Sequence, residues 1–137
     1  MERGRRIAFD YGDARIGVAI CDPDGILATP LPFLDAKHPK LLLHIEELVS
    51  EFSPIAIYLG DPKHLSGASG ESAAKVKAFA SALESKFALP IIYIDERLST
   101  VDAQRRLREA GVSSKGSKEL IDSMAAVAIL ESGLARG

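Results

Sequence analysis

Three acidic residues lie where a lone carboxylate is costly. Asp10 interrupts an apolar run, Glu96 follows a second apolar run, and Asp122 stands beside small and apolar residues. A buried carboxylate costs several kcal/mol unless a partner, a proton or a metal ion compensates it. Three that converge stay ionised only beside a cation, and oxygen ligands suit Mg²⁺ or Mn²⁺. Two such ions about 3.5–4 Å apart hydrolyse phosphodiester bonds by stabilising the attacking and leaving oxygens.

Each acid also has an ordinary interpretation. The side chain of Asp10 could cap the following turn, and all three could be unrelated surface or capping residues. A shared site is favoured by the expected topology, because ligands of open α/β sheets gather outside the carboxyl ends of the strands. Asp10 and Glu96 are both expected there, and a helix packed across the sheet would bring Asp122 to the same place.

The elements that would position these acids follow from the apolar pattern. A glycine turn at Gly12-Asp13 joins two predicted strands, and prolines make the end of a third ragged or place it at an edge. Two continuous apolar runs predict strands buried on both faces. The predicted strands are 6–11, 16–21, 26–33, 55–59 and 91–95. The predicted helices are 41–52, a long helix that follows the glycine-rich loop 60–70 and carries its apolar stripe from 76 to 87, 100–110 and 117–135.

This order predicts an α/β fold. A meander of three strands followed by alternating helices and strands gives a mixed five-stranded sheet with helices on both faces. The length of 137 residues fits a single domain over 1–137.

Composition narrows the class of protein. The net charge is −2, so no overall basic field indicates nucleic acid, but Arg and Lys cluster between residues 97 and 118. One cysteine, Cys21, excludes an internal disulfide and fits the reducing cytoplasm. No apolar run has the length of a membrane span, so we expect a cytoplasmic protein without a membrane partner.

Three sequence blocks carry a family resemblance. They are Asp10-Tyr-Gly with Arg15-Ile-Gly-Val-Ala, Asp95-Glu-Arg-Leu-Ser-Thr100, and Ile121-Asp-Ser-Met-Ala-Ala126. Together they resemble the signature blocks of the YqgF (RuvX) family, which has a ribonuclease H-like fold and is related to the RuvC Holliday-junction resolvases. The likeness spans nearly the whole chain, with the blocks in the expected order.

The resemblance implies a metal-dependent nuclease that matures the 5′ end of the precursor of 16S ribosomal RNA. By position, Asp10, Glu96 and Asp122 would be the catalytic acids and the ligands of Mg²⁺ or Mn²⁺. We expect a two-metal-ion mechanism in which a bound water attacks the phosphorus in line.

Basic residues supply candidate contacts to the nucleic acid. Arg15 and Arg97 would hold flanking phosphates bidentately, although Arg15 could instead pair only with Asp13 or Asp22. Lys63 lies in a glycine-rich loop, and the helix after Thr100 could present a solvated face alone. Lys63 could touch the substrate from that loop. The residues expected to track the backbone, with salt-sensitive and weakly sequence-selective binding, are Arg105, Arg106, Arg108, Lys115 and Lys118.

Some positions depart from the family pattern. Position 13 is Asp and position 14 is Ala, where relatives often carry Thr or a basic residue, and Asp61 replaces a usually apolar residue. These changes leave the three acids intact. They add negative charge near the expected substrate entry, so the sequence does not decide which contacts the substrate makes there.

Three other functions are compatible with parts of the pattern. A resolvase acting on branched DNA would keep the fold and metals and would need a dimer. Since the sequence does not decide between the two substrates, the chain is expected to be a monomer or a homodimer. A non-catalytic nucleic-acid-binding factor in transcription or ribosome assembly would keep the acids as relics. An ATP-binding fold of the actin type shares the Asp-x-Gly hairpin but needs two such domains.

Overall fold

The computed structural model describes residues 3–61, 70–95 and 114–136, with side chains described at 3–61, 73–94 and 123–135. The strands are β1 (Arg6–Tyr11), β2 (Arg15–Cys21), β3 (Ala28–Asp35), β4 (Ala56–Asp61) and β5 (Ile91–Asp95). The helices are α1 (Leu41–Phe52), α2 (Gly70–Lys86) and α3 (Ser114–Arg136). The predicted helix at 100–110 lies outside the described residues.

The strands form one mixed sheet in the order β3-β2-β1-β4-β5. β1 pairs antiparallel with β2, which pairs antiparallel with β3, whereas β1, β4 and β5 are mutually parallel. The predicted five-stranded mixed sheet is therefore confirmed. Its three parallel strands end at one edge, and that edge was expected to carry the site.

Each face of the sheet has its own core. On one face, branched and aromatic side chains such as Phe9, Ile57 and Leu59 pack with Ile45 of α1 and Leu83 of α2. On the other face, α3 packs against a surface made largely of small side chains, among them Ala8, Ala19, Ala56 and, from the helix, Ala126. Alternation along the strands separates the two sets, because successive side chains point to opposite faces.

The third strand starts later than predicted. Ile26 and Leu27 belong to the preceding turn, where both backbone N–H groups donate to Asp22 Oδ1 at 2.7 Å. Since these donors are satisfied by a side chain, they do not enter the sheet, and the strand shifts two residues to Ala28–Asp35.

Other boundaries moved by a few residues at most. The last helix begins at Ser114 rather than 117, and β4 covers Ala56–Asp61 rather than 55–59. Cys21 is 2% exposed, which confirms it as a core residue, and its Sγ accepts the Arg6 backbone N–H at 3.1 Å. None of the helices in the described ranges combines the length and apolarity that crossing a membrane requires.

Candidate active site at the carboxyl edge of the sheet

Asp10 lies near the carboxyl end of β1, the central strand. It is half-buried, and its partner on β2 is Gly17. Ala8, two residues earlier, packs against α3, so strand alternation directs the Asp10 side chain to the α3 face as well. The neighbouring glycine has no side chain to cover the carboxylate from the β2 side.

The second predicted acid follows the strand β5 directly. β5 ends at Asp95, in register with Asp61 at the end of β4, so this strand ends at the edge of the sheet at which Asp10 lies. β5 is two strands from β1, which corresponds to about 10 Å at the usual spacing of strands. Glu96 itself lies outside the described residues.

The third predicted acid is on α3, and the adjacent residue fixes that part of the helix. Ser123 is 3% exposed, and its hydroxyl donates to the backbone carbonyl of Leu31 on β3 at 2.5 Å. Leu31 pairs with Val18, which pairs with Phe9, the residue before Asp10. Measured along the strand direction, this contact is therefore one residue from Asp10. The backbone of Asp122 is therefore held near that level, although its side chain is not among those described.

A glycine near the other end of α3 provides a second anchor. A Cβ on Gly133 would lie 2.5 Å from Cδ2 of Tyr58 on β4, which is closer than real Cβ atoms approach. Together, the Ser123 contact on β3 and the Gly133 contact on β4 set the direction in which α3 crosses the sheet. Sequence reasoning missed both residues; a serine and a glycine inside a helical pattern were the available signals.

The two acids that depart from the family pattern lie toward α2. Asp13 accepts a hydrogen bond from Lys75 Nζ of α2 at 2.9 Å, and this bond, together with the nearby positive charge, lowers the pKa of the Asp13 carboxyl. Asp61 has the strand parity of Leu59, which faces α1 and α2. It also contributes, after burial and Glu84, to the raised pKa of Tyr93. By geometry, neither acid shares the α3 face with Asp10.

Arg15 is the one predicted nucleic-acid contact whose side chain is described. It begins β2, two residues before the Gly17 that pairs with Asp10, and its guanidinium lies over the Phe33 ring at 5.1 Å from the centroid. This cation–π contact holds the side chain at the Asp10 end of the sheet. The other predicted contacts, Lys63, Arg97 and Arg105 together with the Lys115 side chain, lie outside the described residues.

No three His, Cys, Asp or Glu residues within the described ranges come close enough together to hold a metal ion. Glu96 and the side chain of Asp122 were not in that set, so the predicted carboxylate triad stays a prediction. The candidate donors are all carboxylate oxygens, and that chemistry fits Mg²⁺ or Mn²⁺.

Comparison with known proteins agrees with this topology. The solved structure of T. thermophilus RuvC in complex with Holliday junction substrate superposes with a TM-score of 0.59 at 18% identity, covering 96% of this chain and 95% of that one. The similarity shows that the two share the α/β ribonuclease H-like fold.

Sequence relatives are much closer. A Streptomyces avermitilis protein named "Putative pre-16S rRNA nuclease" is 48% identical over 136 residues, covering 98% of this chain and 87% of the relative. Proteins of the same name from Streptomyces coelicolor and Mycobacteroides abscessus are 47% and 45% identical, covering 98% and 96% of this chain and 81% of each relative. A family model described as RuvX, Holliday junction resolvase, matches residues 4–136. Because that match spans nearly the whole chain, the protein belongs to the RuvX (YqgF) family.

Proposed function

We propose that the protein is a metal-dependent nuclease, built as a single domain, that hydrolyses phosphodiester bonds at the 5′ end of the precursor of 16S ribosomal RNA in the cytoplasm. The observation that carries the proposal is the position of Asp10. Its half-buried carboxylate lies near the carboxyl end of the central strand, on the face covered by α3. Family membership and the names of the relatives support the same reaction.

Asp10, Glu96 and Asp122 would hold Mg²⁺ or Mn²⁺ in this proposal. When bound, two such ions would supply an activated water and would stabilise the charge that develops on the leaving oxygen. The contribution of the chain itself is to position these ligands. β1 and β5 end at one edge of the sheet, and the Ser123 hydrogen bond fixes α3 within one residue of Asp10 along the strand direction. Such positioning matters because a displacement of about 1 Å can cost a hundredfold in rate.

Arg15 and Arg97 would hold the phosphates that flank the cleaved bond, with Lys63, Arg105 and Lys115 along the backbone. Asp13 and Asp61 would leave these contacts unaffected, because both lie toward the α2 side of the sheet. Binding that depends on phosphates should weaken steeply as salt rises.

A cleavage assay with 5′-labelled 16S precursor RNA in Mg²⁺ or Mn²⁺ tests the proposal. We expect Asp10→Asn, Glu96→Gln and Asp122→Asn each to slow cleavage at least about a hundredfold, equivalent to about 2.7 kcal/mol of transition-state stabilisation. Asp13→Asn is the matched control, since it removes a carboxylate three residues from Asp10 that pairs with Lys75, and it should keep its rate.

The same variants decide between catalysis and a purely binding role. Titration of Mn²⁺ into Asp10→Asn should show weakened metal binding while the melting temperature is not lowered. If Asp10→Asn cleaved the RNA at the wild-type rate, Asp10 would not be a catalytic acid. If the wild-type protein itself failed to cleave the RNA with either ion, a non-catalytic role in transcription or ribosome assembly would replace the proposal.

Resolution of Holliday junctions is the second candidate function. The description of the family model names that activity, and the fold is shared with RuvC. A four-way DNA junction run beside the RNA substrate separates the two, with sedimentation to establish whether the active form is a dimer. Paired, symmetric cuts in the junction with intact RNA would favour the resolvase.

A further inference from the structure

An open groove runs between the edge strand β3 and the helix α1. Its volume is about 360 Å³. β3 contributes Pro32, Phe33 and Leu34 to its lining. α1 contributes His44, Leu48, Glu47 and Glu51. The groove therefore combines apolar side chains and one imidazole with two carboxylates along one helix.

Charge along α1 is balanced on one side and unbalanced at the groove. Glu46 pairs with Lys86 of α2 at 2.7 Å. In contrast, neither Glu47 nor Glu51 forms an ion pair with any residue that the structure describes. The two carboxylates are four residues apart on the helix surface, where like charges destabilise the helix.

The position of Glu51 adds a second unfavourable interaction. It lies in the last turn of α1, where the helix dipole is negative and no basic residue compensates it. An acid that breaks two local rules beside an apolar groove is a candidate for a role outside folding.

The chemistry of the groove restricts its occupant. Two uncompensated carboxylates repel the phosphates of RNA. β3 is an edge strand that carries Pro30 and Pro32, which lack the N–H groups that a strand added at this edge would need. An apolar side chain flanked by Arg or Lys matches both the floor and the acids.

We propose that this groove docks a basic segment of a protein partner, which inserts an apolar side chain against Leu34 and Leu48 and pairs its cations with Glu47 and Glu51. α1 packs on the face of the sheet opposite α3 and Asp10. The partner therefore does not cover Asp10, although the groove meets the proposed RNA path at Phe33, whose ring lies under the Arg15 guanidinium. The inference does not depend on the nuclease reaction.

Fluorescence anisotropy with the full chain tests the docking. The probe is a fluorescein-labelled helical peptide with arginines at a spacing of four and leucines between them, and a second peptide replaces the leucines by serine. The variant Glu47→Gln/Glu51→Gln should bind the leucine peptide about five- to tenfold more weakly than wild type. The control Glu46→Gln/Glu84→Gln removes the same charge from exposed positions outside the groove and should stay within twofold.

Amide chemical shifts recorded during the titration locate the peptide. Changes confined to β3 and α1, together with weaker binding of the serine peptide, support the proposal. Failure of the leucine peptide to bind, equal loss of affinity in both double variants, or shifts centred on Asp10 would overturn it. So would a concentration-dependent dimer abolished by Glu47→Gln/Glu51→Gln, because a second copy of the chain would then be the occupant.

Discussion

The contact between Gly133 and Tyr58 makes a quantitative prediction about how α3 is seated. In Gly133→Ala the new Cβ would lie 2.5 Å from Tyr58 Cδ2 and 3.0 Å from Cζ, and the ring is 6% exposed, so it has little room to move. Overpacking costs about 1–3 kcal/mol, and because three ring atoms lie within 3.0 Å of the new Cβ we expect the upper part of that range, about 2–3 kcal/mol. Alanine returns about 0.8–1 kcal/mol because it favours the helix over glycine. The net expectation is a loss of about 1–2 kcal/mol.

A double-mutant cycle isolates the steric part of this effect. In a Tyr58→Val background the ring is gone, so Gly133→Ala should now stabilise the protein by up to about 1 kcal/mol, a reversal of sign. Urea denaturation of the four proteins measures both steps, and the single variant should melt about 3–8 °C lower than wild type. A Gly133→Ala protein that is as stable as wild type, or an effect of equal size in both backgrounds, would refute the close approach of α3 to β4.

Three further predictions follow from other described contacts. Ser123→Ala should cost about 1–3 kcal/mol in urea denaturation, because a buried hydrogen bond to the Leu31 carbonyl is lost, and a loss below about 0.5 kcal/mol would contradict that bond. Backbone N–H groups hold the pKa of Asp22 below its usual value. The stability that this carboxylate contributes is therefore present above the unfolded pKa of about 3.9 and is lost as pH falls through the folded pKa. The stability advantage of wild type over Asp22→Asn should shrink below about pH 4, and a constant difference would argue against this assignment. Arg15→Gln should weaken binding of precursor RNA and reduce the slope of log K against log salt by about 1, whereas an unchanged slope would mean that Arg15 makes no contact with a phosphate.

Local patterns were sufficient for most of the fold. Apolar runs and helical spacing placed β5 at Ile91–Asp95 and α1 at Leu41–Phe52, as the structure has them. The predicted start of β3 was wrong because the side chain of Asp22 competes with the sheet for the same backbone N–H groups. Asp22 collects three backbone N–H groups of the turn, and no propensity of Ile26 or Leu27 reveals that capture.

Candidate site residues could be singled out only where a residue disagreed with its own surroundings. Asp10 was singled out because a carboxylate in an apolar strand is costly unless something compensates it, and its catalytic role stays a prediction. The orientation of Asp13 was not predictable, because its partner Lys75 is 62 residues away in the chain. The face of Asp61 depended on where β4 lies in the sheet, which apolar periodicity alone does not give. Long-range pairing therefore decided which acids share a face, and local composition decided which acids were unusual.

The two faces of the sheet explain why the candidate site lies beneath α3 rather than beneath α1 or α2. Large side chains such as Phe9 and Leu59 fill the α1 and α2 face. Alanines cover much of the α3 face, and Gly133 leaves room for the Tyr58 ring where the helix crosses β4. Small residues let backbones approach closely, and the proposed sharing of a metal ion by a carboxylate on β1 and one on α3 would need such a close approach. Enlarging Ala8 to Leu should therefore lift α3, and we expect it to reduce RNA cleavage more strongly than an Ala80→Leu change in the core of the opposite face that destabilises the protein equally.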